Sequence, residues 1–221
     1  TWAQLMNSAG ANNQDKDAPF ADIMLAYYQK KARDMNQNLM FKGDTTSLDP
    51  NLVHYDGFLK LWANDPDVVT YYSTETAITT SNAMDIALGL YNTIDPVLFD
   101  NDIPMELMVG RETYRKIIEN VYNDNNFHHT LQETGGTEPS FILPTTNLTV
   151  RAYPQLTGTD EMIIAPLGYM FFGTDLESDS EGFEFKYNDH DEKLRFSVKW
   201  RSGVQYVFPQ YFTRLRLTPT S

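Results

Sequence analysis

The sequence predicts an α+β fold, in which a long helix packs beside an antiparallel β-meander and a mixed α/β unit is inserted between them. Three observations support this class. Apolar residues recur at helical spacing from residue 19 onwards, a short apolar strand in the middle is flanked by two helical segments, and aromatic and β-branched residues dominate the last third. Hydrophobic residues make up 41 % of the 221 and charged residues 21 %, which is typical of a folded domain rather than a disordered chain.

The stretch "PFADIMLAYYQKKARDMNQNLMFKG" predicts the long helix. Asp17 and Pro19 are start signals, and Gly43 follows Lys42 as a C-terminal cap. A helix of this length spans more than about 30 Å. Its expected apolar stripe consists of Phe20, Ile23, Met24, Tyr27 and Met35, with Lys31 beside them.

The middle of the chain predicts two more helices around a buried strand. The turn-rich connector "GDTTSLDPNLVHYDG" leads to a helix that Ser81 or Asn82 caps, and "MELMV" (105–109) is the buried strand. The segments "LTVRAY" and "EMIIAP" predict two further strands. The expected apolar faces are Met84, Ala87, Leu88 and Tyr91 for the first of these helices, and Tyr114, Ile117, Ile118 and Val121 for the second.

The last third predicts the antiparallel meander. "FEFKY", "KLRFSVKW" and "VQYVFPQYFTRLRL" are rich in aromatic and β-branched residues, several of them alternating with polar ones. "NDHDE" separates the first two segments and "RSG" separates the second from the third. We therefore expect each strand to pair with the next one along the chain.

Composition excludes several classes of function. The 17 basic and 30 acidic side chains leave a net charge of −13, which disfavours nucleic-acid binding through the overall field. The chain has no cysteine, so disulfides, thiol catalysis and cysteine-ligated zinc are excluded. No apolar run approaches the roughly 20 residues that span a bilayer, and we expect no membrane partner. The N-terminus, which opens on Thr1, lacks the pattern of a signal peptide and suggests a fragment or a processed product.

Four acids alternate in the segment "GTDLESDSEG": Asp175, Glu177, Asp179 and Glu181. This spacing is that of the first ligands in a calcium-binding loop. However, the calcium pattern needs Gly at its sixth position and Glu at its twelfth, where this chain has Ser180 and Lys186. The segment therefore favours a solvated acidic loop over a calcium site.

The stretch "NDHDEK" places His190 between Asp189 and Asp191, next to Glu192. These are metal-ligand types, but side chains adjacent in a tight turn cannot all point at one ion. Asn and Asp also favour turns by bonding their own backbone, so the stretch favours a hairpin tip.

The other histidines form no recognisable site. His128 and His129 have no acid at the spacing of a zinc protease, and His54 has no partner in pattern. The phosphate-binding loop, the nucleophile elbow and the dinucleotide fingerprint are all absent, although a triad of distant Ser, His and Asp residues stays open. Asn147 begins a glycosylation sequon, a pattern short enough to arise by chance. We therefore predict no catalytic residue, no cofactor and no metal site.

Taken in order, four stretches resemble the major capsid protein of tailed bacteriophages, the Hong Kong-phage type of fold. "PFADIMLAYYQKKARDMNQNLMFKGD" resembles the spine helix of that family, and "MELMVGRETYRKIIENVY" resembles the strand and helix of its axial domain. "IIAPLGYMFFGTDLESD" is similar to the segment that leaves the axial domain, and "FEFKYNDHDEKLRFSVKWRSGVQYVFP" to the long strands of the peripheral domain.

The resemblance implies a shell subunit that is not an enzyme. It implies hexamers and pentamers enclosing double-stranded DNA in a virion, assembled in the bacterial cytoplasm with a scaffold, a maturation protease and a portal as possible partners. The implied units are residues 1–43 (N-terminal segment and spine helix), 44–176 (axial domain with connector) and 177–221 (peripheral strands). Contacts are expected on the spine helix, on the loops around Tyr122 to Ser140 and on the acidic segment after Asp175.

One feature departs from the family. An N-terminal arm and an extended loop should precede the spine helix, but only about eighteen residues do. The chain therefore resembles a truncated or processed form, which we expect to be monomeric or weakly oligomeric, and no cross-linking residue is assigned.

Two alternatives stay open. One is a metal-dependent hydrolase that uses Asp175, Glu177, Asp179 and His190. The other is an aromatic-rich module that binds glycans or a host surface, with Trp and Tyr as the stacking residues. The second alternative predicts exposed aromatic side chains in a groove.

Overall fold

The computed structural model describes residues 19–101, 103–123, 139–143, 146–174, 183–188, 193–198 and 201–219. Its helices are α1 (Pro19–Lys42), α2 (Phe58–Asn64), α3 (Ala83–Tyr91), α4 (Pro96–Asp100) and α5 (Arg111–Asn123). Short 3₁₀ turns occur at Pro154–Leu156, Leu167–Tyr169 and Pro209–Tyr211. The strands are β1 (Val69–Tyr72), β2 (Met105–Val109), β3 (Ser140–Ile142), β4 (Thr149–Ala152), β5 (Met162–Pro166), β6 (Met170–Thr174), β7 (Phe183–Asn188), β8 (Lys193–Val198), β9 (Ser202–Tyr206) and β10 (Thr213–Arg216).

The centre of the fold is a mixed six-stranded sheet with the order β1-β10-β5-β2-β4-β3. β1 pairs with β10 in parallel, and so does β2 with β4, whereas the other neighbours are antiparallel. The described chain is thus mixed α and β, in agreement with the predicted α+β class. The predicted strands "MELMV", "LTVRAY" and "EMIIAP" are confirmed as β2, β4 and β5.

The two central strands are buried along their whole length on both faces. Every residue of β2 and of β5 is buried, which explains why neither strand alternates between apolar and polar residues; Glu106 is the one charged residue in them. On β5, Met162 and Ile164 point into one core cluster, and Ile163 and Ala165 point into the other.

Helices cover both faces of this sheet. On one face α3 and α5 contribute Ala87, Leu90, Ile117 and Val121 to the first cluster. On the other face the end of α1 and the whole of α2 contribute Phe41, Phe58 and Trp62 to the second. The result is a three-layered domain with the sheet in the middle.

Trp62 is the centre of the second cluster. Its indole is 2 % exposed and stacks on Phe58, with ring centroids 5.2 Å apart and an interplanar angle of 17°. Phe212 lies 5.6 Å away and Tyr206 6.2 Å away, measured between ring centroids. This aromatic group joins α2 to the chain around β9 and β10.

The predicted meander is wrong in its pairing. β7 and β8 do pair, from Phe183↔Val198 to Asn188↔Lys193. β9, however, pairs with β6, from Met170↔Tyr206 to Thr174↔Ser202, and β10 joins the central sheet. The β7–β8 pair therefore lies within the chain segment that connects β6 to β9, and the strands do not each pair with the next one along the chain.

The burial of Tyr206 accounts for this register. Its ring packs against Trp62 and Phe212, and its hydroxyl donates to Asp65 Oδ2 at 2.6 Å. Burial and the neighbouring carboxylates of Asp65 and Asp67 raise the pKa of Tyr206 well above its usual range, so the hydroxyl keeps its proton. Tyr206 is partly buried against the second cluster, and Ser202 and Gly203 lie within β9, so "RSG" does not form the predicted turn.

The long helix is confirmed from Pro19 to Lys42, but its predicted stripe is wrong for Tyr27. Tyr27 is 51 % exposed, and the buried apolar residues near the helix end are Leu39 and Phe41. Helical spacing fixes which residues share a side, whereas the contacts of α2 and of the 3₁₀ turn at Pro154 decide which side is covered. That α1 is a capsid spine helix, and that the units divide at residues 43 and 176, stay predictions.

The other two helices follow their predicted faces closely. In α3 Met84 and Ala87 are buried, while Leu88 and Tyr91 pack against the core from its rim. Asn82 precedes α3, but its Oδ1 accepts from the backbone N–H of Thr79 rather than from the helix. Among the described helices, none is long and apolar enough to cross a membrane.

Substitution of Trp62 by Ala should destabilise the domain strongly. Removal of a fully buried Trp leaves a cavity in the second cluster and costs about 3–5 kcal/mol of unfolding free energy. Urea unfolding followed by circular dichroism measures the loss. Val97→Ala is the matched control, because Val97 is 42 % exposed and should change the free energy by less than about 0.5 kcal/mol. Equal losses in the two variants would contradict this packing.

Candidate assembly surfaces

Most of the acidic and histidine residues singled out in the sequence lie outside the described residues. This holds for Asp175, Glu177, Asp179 and Glu181, for His190 with Asp189, Asp191 and Glu192, and for His128 and His129. The strands that flank "NDHDEK" are paired up to Asn188↔Lys193, as the hairpin interpretation requires. His54 and Asn147 are described, and both are exposed.

Buried carboxylates in the described residues serve the sheet. Glu106 on β2 is 8 % exposed, and it receives Arg151 Nη2 of β4 at 2.9 Å and the Tyr153 hydroxyl at 2.9 Å. Glu161 faces Arg214 of β10 at 3.5 Å, and burial raises its pKa despite this neighbouring guanidinium. Each acid is paired with an arginine of a neighbouring strand, which is an arrangement that fastens strands. Across the ranges that the structure describes, no three His, Asp or Glu residues lie close enough to hold a metal ion.

The connector between α1 and α2 is a closed loop, residues 44–56, which we call the clamped loop. Its ends cross at Gly43 and Gly57, where the Gly57 N–H donates to the Gly43 carbonyl at 2.8 Å. A Cβ at Gly43 would meet the Tyr55 carbonyl oxygen at 2.3 Å, and a Cβ at Gly57 would meet the Gly43 nitrogen at 2.7 Å. The crossing therefore requires glycine on both sides, which gives the connector the form of an Ω-loop.

Lys60 of α2 holds both ends of the clamped loop. Its Nζ lies 2.7 Å from Asp44 Oδ1 and 2.7 Å from Asp56 Oδ1. Thr46 donates to Asp44 from its N–H and its hydroxyl, and Thr45 does the same for Asp56. The hydrogen bond from Lys60, followed by those from Thr46, lowers the pKa of Asp44 to about 2. The same ammonium lowers the pKa of Asp56, and its own pKa is raised in return.

The clamped loop presents an apolar residue at its tip. Leu48 is 100 % exposed, and Val53 is 39 % exposed. Next to Leu48, the turn is ordered by the Asn51 N–H and side-chain amide, both of which donate to Asp49 Oδ1 at 2.9 Å. The ordered loop therefore holds a leucine wholly in water, as apolar surface available to a partner.

A second apolar surface lies at the base of the β6–β9 ribbon. We call it the ribbon patch: Leu167, Phe171, Phe172, Val207 and Phe208, each between 38 % and 51 % exposed. Phe208 has φ 57° and ψ 63°, the left-handed conformation that bulky residues avoid, and its ring packs edge-on against Tyr169 at 5.2 Å between centroids. Phe171 and Phe172 are consecutive in β6 and so lie on opposite faces of the ribbon, which leaves exposed apolar surface on both faces.

A third surface is the outer side of α1. Tyr27, Lys30 and Lys31 share one side of the helix, Arg33 lies at its edge, and all four are exposed. In the part of the chain that the structure describes, the three cations have no ion-pair partner. Asp34 is also exposed on this side, so the basic face carries three cations and one carboxylate in a chain whose net charge is −13.

Comparison with solved structures identifies the fold. One chain of the structure "Satellite phage P4 procapsid including size determination (Sid) protein" matches with a TM-score of 0.56 and 11 % identity, over 98 % of this chain and 71 % of that one. A chain of the "virus-like particle from Pyrococcus furiosus" matches with a TM-score of 0.44 and 10 % identity, over 70 % of this chain and 58 % of that one. The sequence matches no protein-family profile and no curated protein sequence. The chain has a viral capsid-type fold.

Sequence reasoning missed the clamped loop and the ribbon patch as surfaces. The connector's turn residues predict only a turn-rich loop, and nothing in the sequence distinguishes Leu48 from the other apolar residues of the connector, Leu52 and Val53. The aromatic residues of the ribbon patch were assigned to strands or left unassigned, and no periodicity distinguishes them from core residues.

The clamp predicts a specific response to acid. Because the folded state lowers the pKa of Asp44, its contribution to stability is complete above the ordinary pKa of 3.8 and is lost as the pH falls towards about 2. In Lys60→Met the pKa of Asp44 should rise but stay below 3.8, since Thr46 still donates two hydrogen bonds. A carboxyl NMR titration measures both values. Lys31→Met is the control and should leave the pKa of Asp44 unchanged, and titration of wild-type Asp44 near 3.8 would contradict the clamp.

Proposed function

We propose that this chain is the structural subunit of a phage capsid, a major head protein that self-assembles into hexamers and pentamers. The observation that carries the proposal is the match to a chain of the phage P4 procapsid structure over 98 % of this chain. The order of segments along the sequence supports it independently, because it resembles tailed-phage major capsid proteins.

The exposed surfaces support a role in assembly. The clamped loop, the ribbon patch and the basic face of α1 lie on different elements, so that one subunit can meet several neighbours at once. A closed shell needs such repeated contacts, and each of them can be weak because many act together. The other partners in this proposal are a scaffold, a maturation protease and a portal, and the site of action is the virion after assembly in the host cytoplasm.

The net charge of −13 suits a wall around packaged DNA. An acidic subunit does not bind the phosphate backbone through its overall field, so the genome stays free to leave. The proposal assigns the chain no catalytic role. The metal-dependent hydrolase stays an untested alternative, because its candidate ligands lie outside the described residues. The binding-module alternative has the ribbon patch in its favour, but Trp62 is in the core.

Expression of the encoding gene with its genetic neighbours, followed by negative-stain microscopy and sedimentation velocity, tests the proposal. We expect closed shells or capsomer rings that sediment far ahead of the 25.4 kDa chain. Trp62→Ala is the control for folding-dependent assembly and should yield no particles. Folded wild-type protein that stays a monomer at every concentration, with all neighbours present, would contradict the proposal.

A further inference from the structure

The clamped loop is more rigidly built than a connector requires. A loop between two helices needs only to span the distance between the helix ends. This loop is in addition closed by the Gly43–Gly57 crossing and by Lys60, which is bonded to both Asp44 and Asp56. A rigid loop loses little conformational entropy when it binds, so an anchor residue on it binds more tightly than on a flexible one. The residue at its tip is Leu48, which is fully exposed.

The charge of the clamped loop is negative. It carries three carboxylates, Asp44, Asp49 and Asp56, against the single ammonium of Lys60. Asp49 directly follows Leu48. Its Oδ1 is occupied by Asn51, and Oδ2 accepts none of the bonds that the described residues make. The tip therefore presents a leucine next to a carboxylate that can accept a further donor.

The basic face of α1 is complementary to the loop tip in its apolar surface and in its charge. Tyr27 offers a half-exposed ring, and Lys30 and Lys31 are one turn further along the same side of the helix. Asp34 lies on the same side, four residues after Lys30, and offsets part of the repulsion between the cations, but Lys30, Lys31 and Arg33 outnumber it and leave the side net positive. Two copies that each carry a charge of −13 also repel, so a stable contact between them needs local pairing of opposite charges.

We propose that the clamped loop of one copy docks on the basic face of α1 of a second copy, with Leu48 against Tyr27 and Asp49 facing Lys30 and Lys31. The inference rests on the proposed function in that the partner is a second copy of this chain. Both halves of the contact are present on every subunit, and the two halves differ. The contact is therefore heterologous and propagates from subunit to subunit, as rings and shells require. One loop on one helix buries less than the roughly 1,000 Å² of a stable dimer, so the isolated contact is weak and covalent capture is the suitable assay.

The absence of cysteine allows a clean cross-linking experiment. Pro50→Cys places one thiol beside the loop tip, and Ala26→Cys places another beside Tyr27, so neither replaces a residue of the contact. The two purified variants are mixed at high concentration and treated with a bismaleimide reagent. We expect a Pro50–Ala26 dimer whose yield is at least about ten-fold above that of the control mixture of Pro50→Cys with Val97→Cys, since Val97 is exposed on α4 away from the contact.

Further substitutions separate the two parts of the contact. Leu48→Ser in the loop variant should remove most of the cross-link. Lys30→Glu with Lys31→Glu in the helix variant, or Asp49→Asn in the loop variant, should lower the yield by roughly two- to five-fold, and high salt should do the same. Asp49→Asn keeps the side-chain oxygen that orders the turn, so its effect reports the charge.

The outcomes distinguish this contact from the proposed function. Particles without a Pro50–Ala26 cross-link above the control would overturn the contact and leave the shell subunit standing. A specific cross-link from a chain that never forms particles would support the contact and count against the shell. A cross-link that is insensitive to Leu48→Ser and to the charge changes would overturn the contact. The absence of any cross-link would also overturn it, and the basic face would then bind a different partner, such as an acidic scaffold or a nucleic acid.

Discussion

Burial of the β2–β5 pair on both faces is the constraint on which the rest of the structure depends. Every residue of these two strands is removed from water, so helices must cover the sheet above and below. The layer of α3 and α5 and the layer of α2 with the end of α1 meet that requirement. Three features lie outside these layers: the outer side of α1, the clamped loop and the β6–β9 ribbon. The same division separates the residues that form the core from those that stay on the surface of the domain.

The outer elements have features that the isolated chain does not explain. The β6–β9 ribbon packs on the second cluster through Met170, Val204 and Tyr206, but the ribbon patch leaves other aromatic side chains exposed. Phe208 in the left-handed conformation costs of the order of 1 kcal/mol or more, although its ring is half exposed. Leu48 gains nothing from its position at the tip of an ordered loop. The proposed contacts with other copies would bury this apolar surface and offset the cost of the Phe208 backbone conformation.

Local signals predicted much of the fold. The bounds of α1 follow from Pro19 and Gly43, and the burial of β2 follows from its four apolar residues, which only Glu106 interrupts. Pairing in the last third could not be predicted in this way, because the partner of β9 is decided by Tyr206 packing against Trp62, 144 positions earlier in the chain (206 − 62). The exposed side of α1 was missed for a similar reason, since periodicity cannot say which side of a helix has a neighbour. The clamp depends on Lys60 reaching Asp44, a pair that no local pattern joins.

The central claim is that the core is the same in the single chain and in the assembly, whereas the outer surfaces become buried against neighbouring copies. Hydrogen–deuterium exchange tests this claim most directly. Exchange is measured on dispersed subunits and on assembled particles of the same protein. The account predicts that backbone amides of the clamped loop, of residues 26–34 and of the β6–β9 ribbon gain protection on assembly, while those of β2 and β5 are equally protected in both samples. Unchanged exchange in all three outer elements, or protection of β2 and β5 that appears only in the particles, would contradict it.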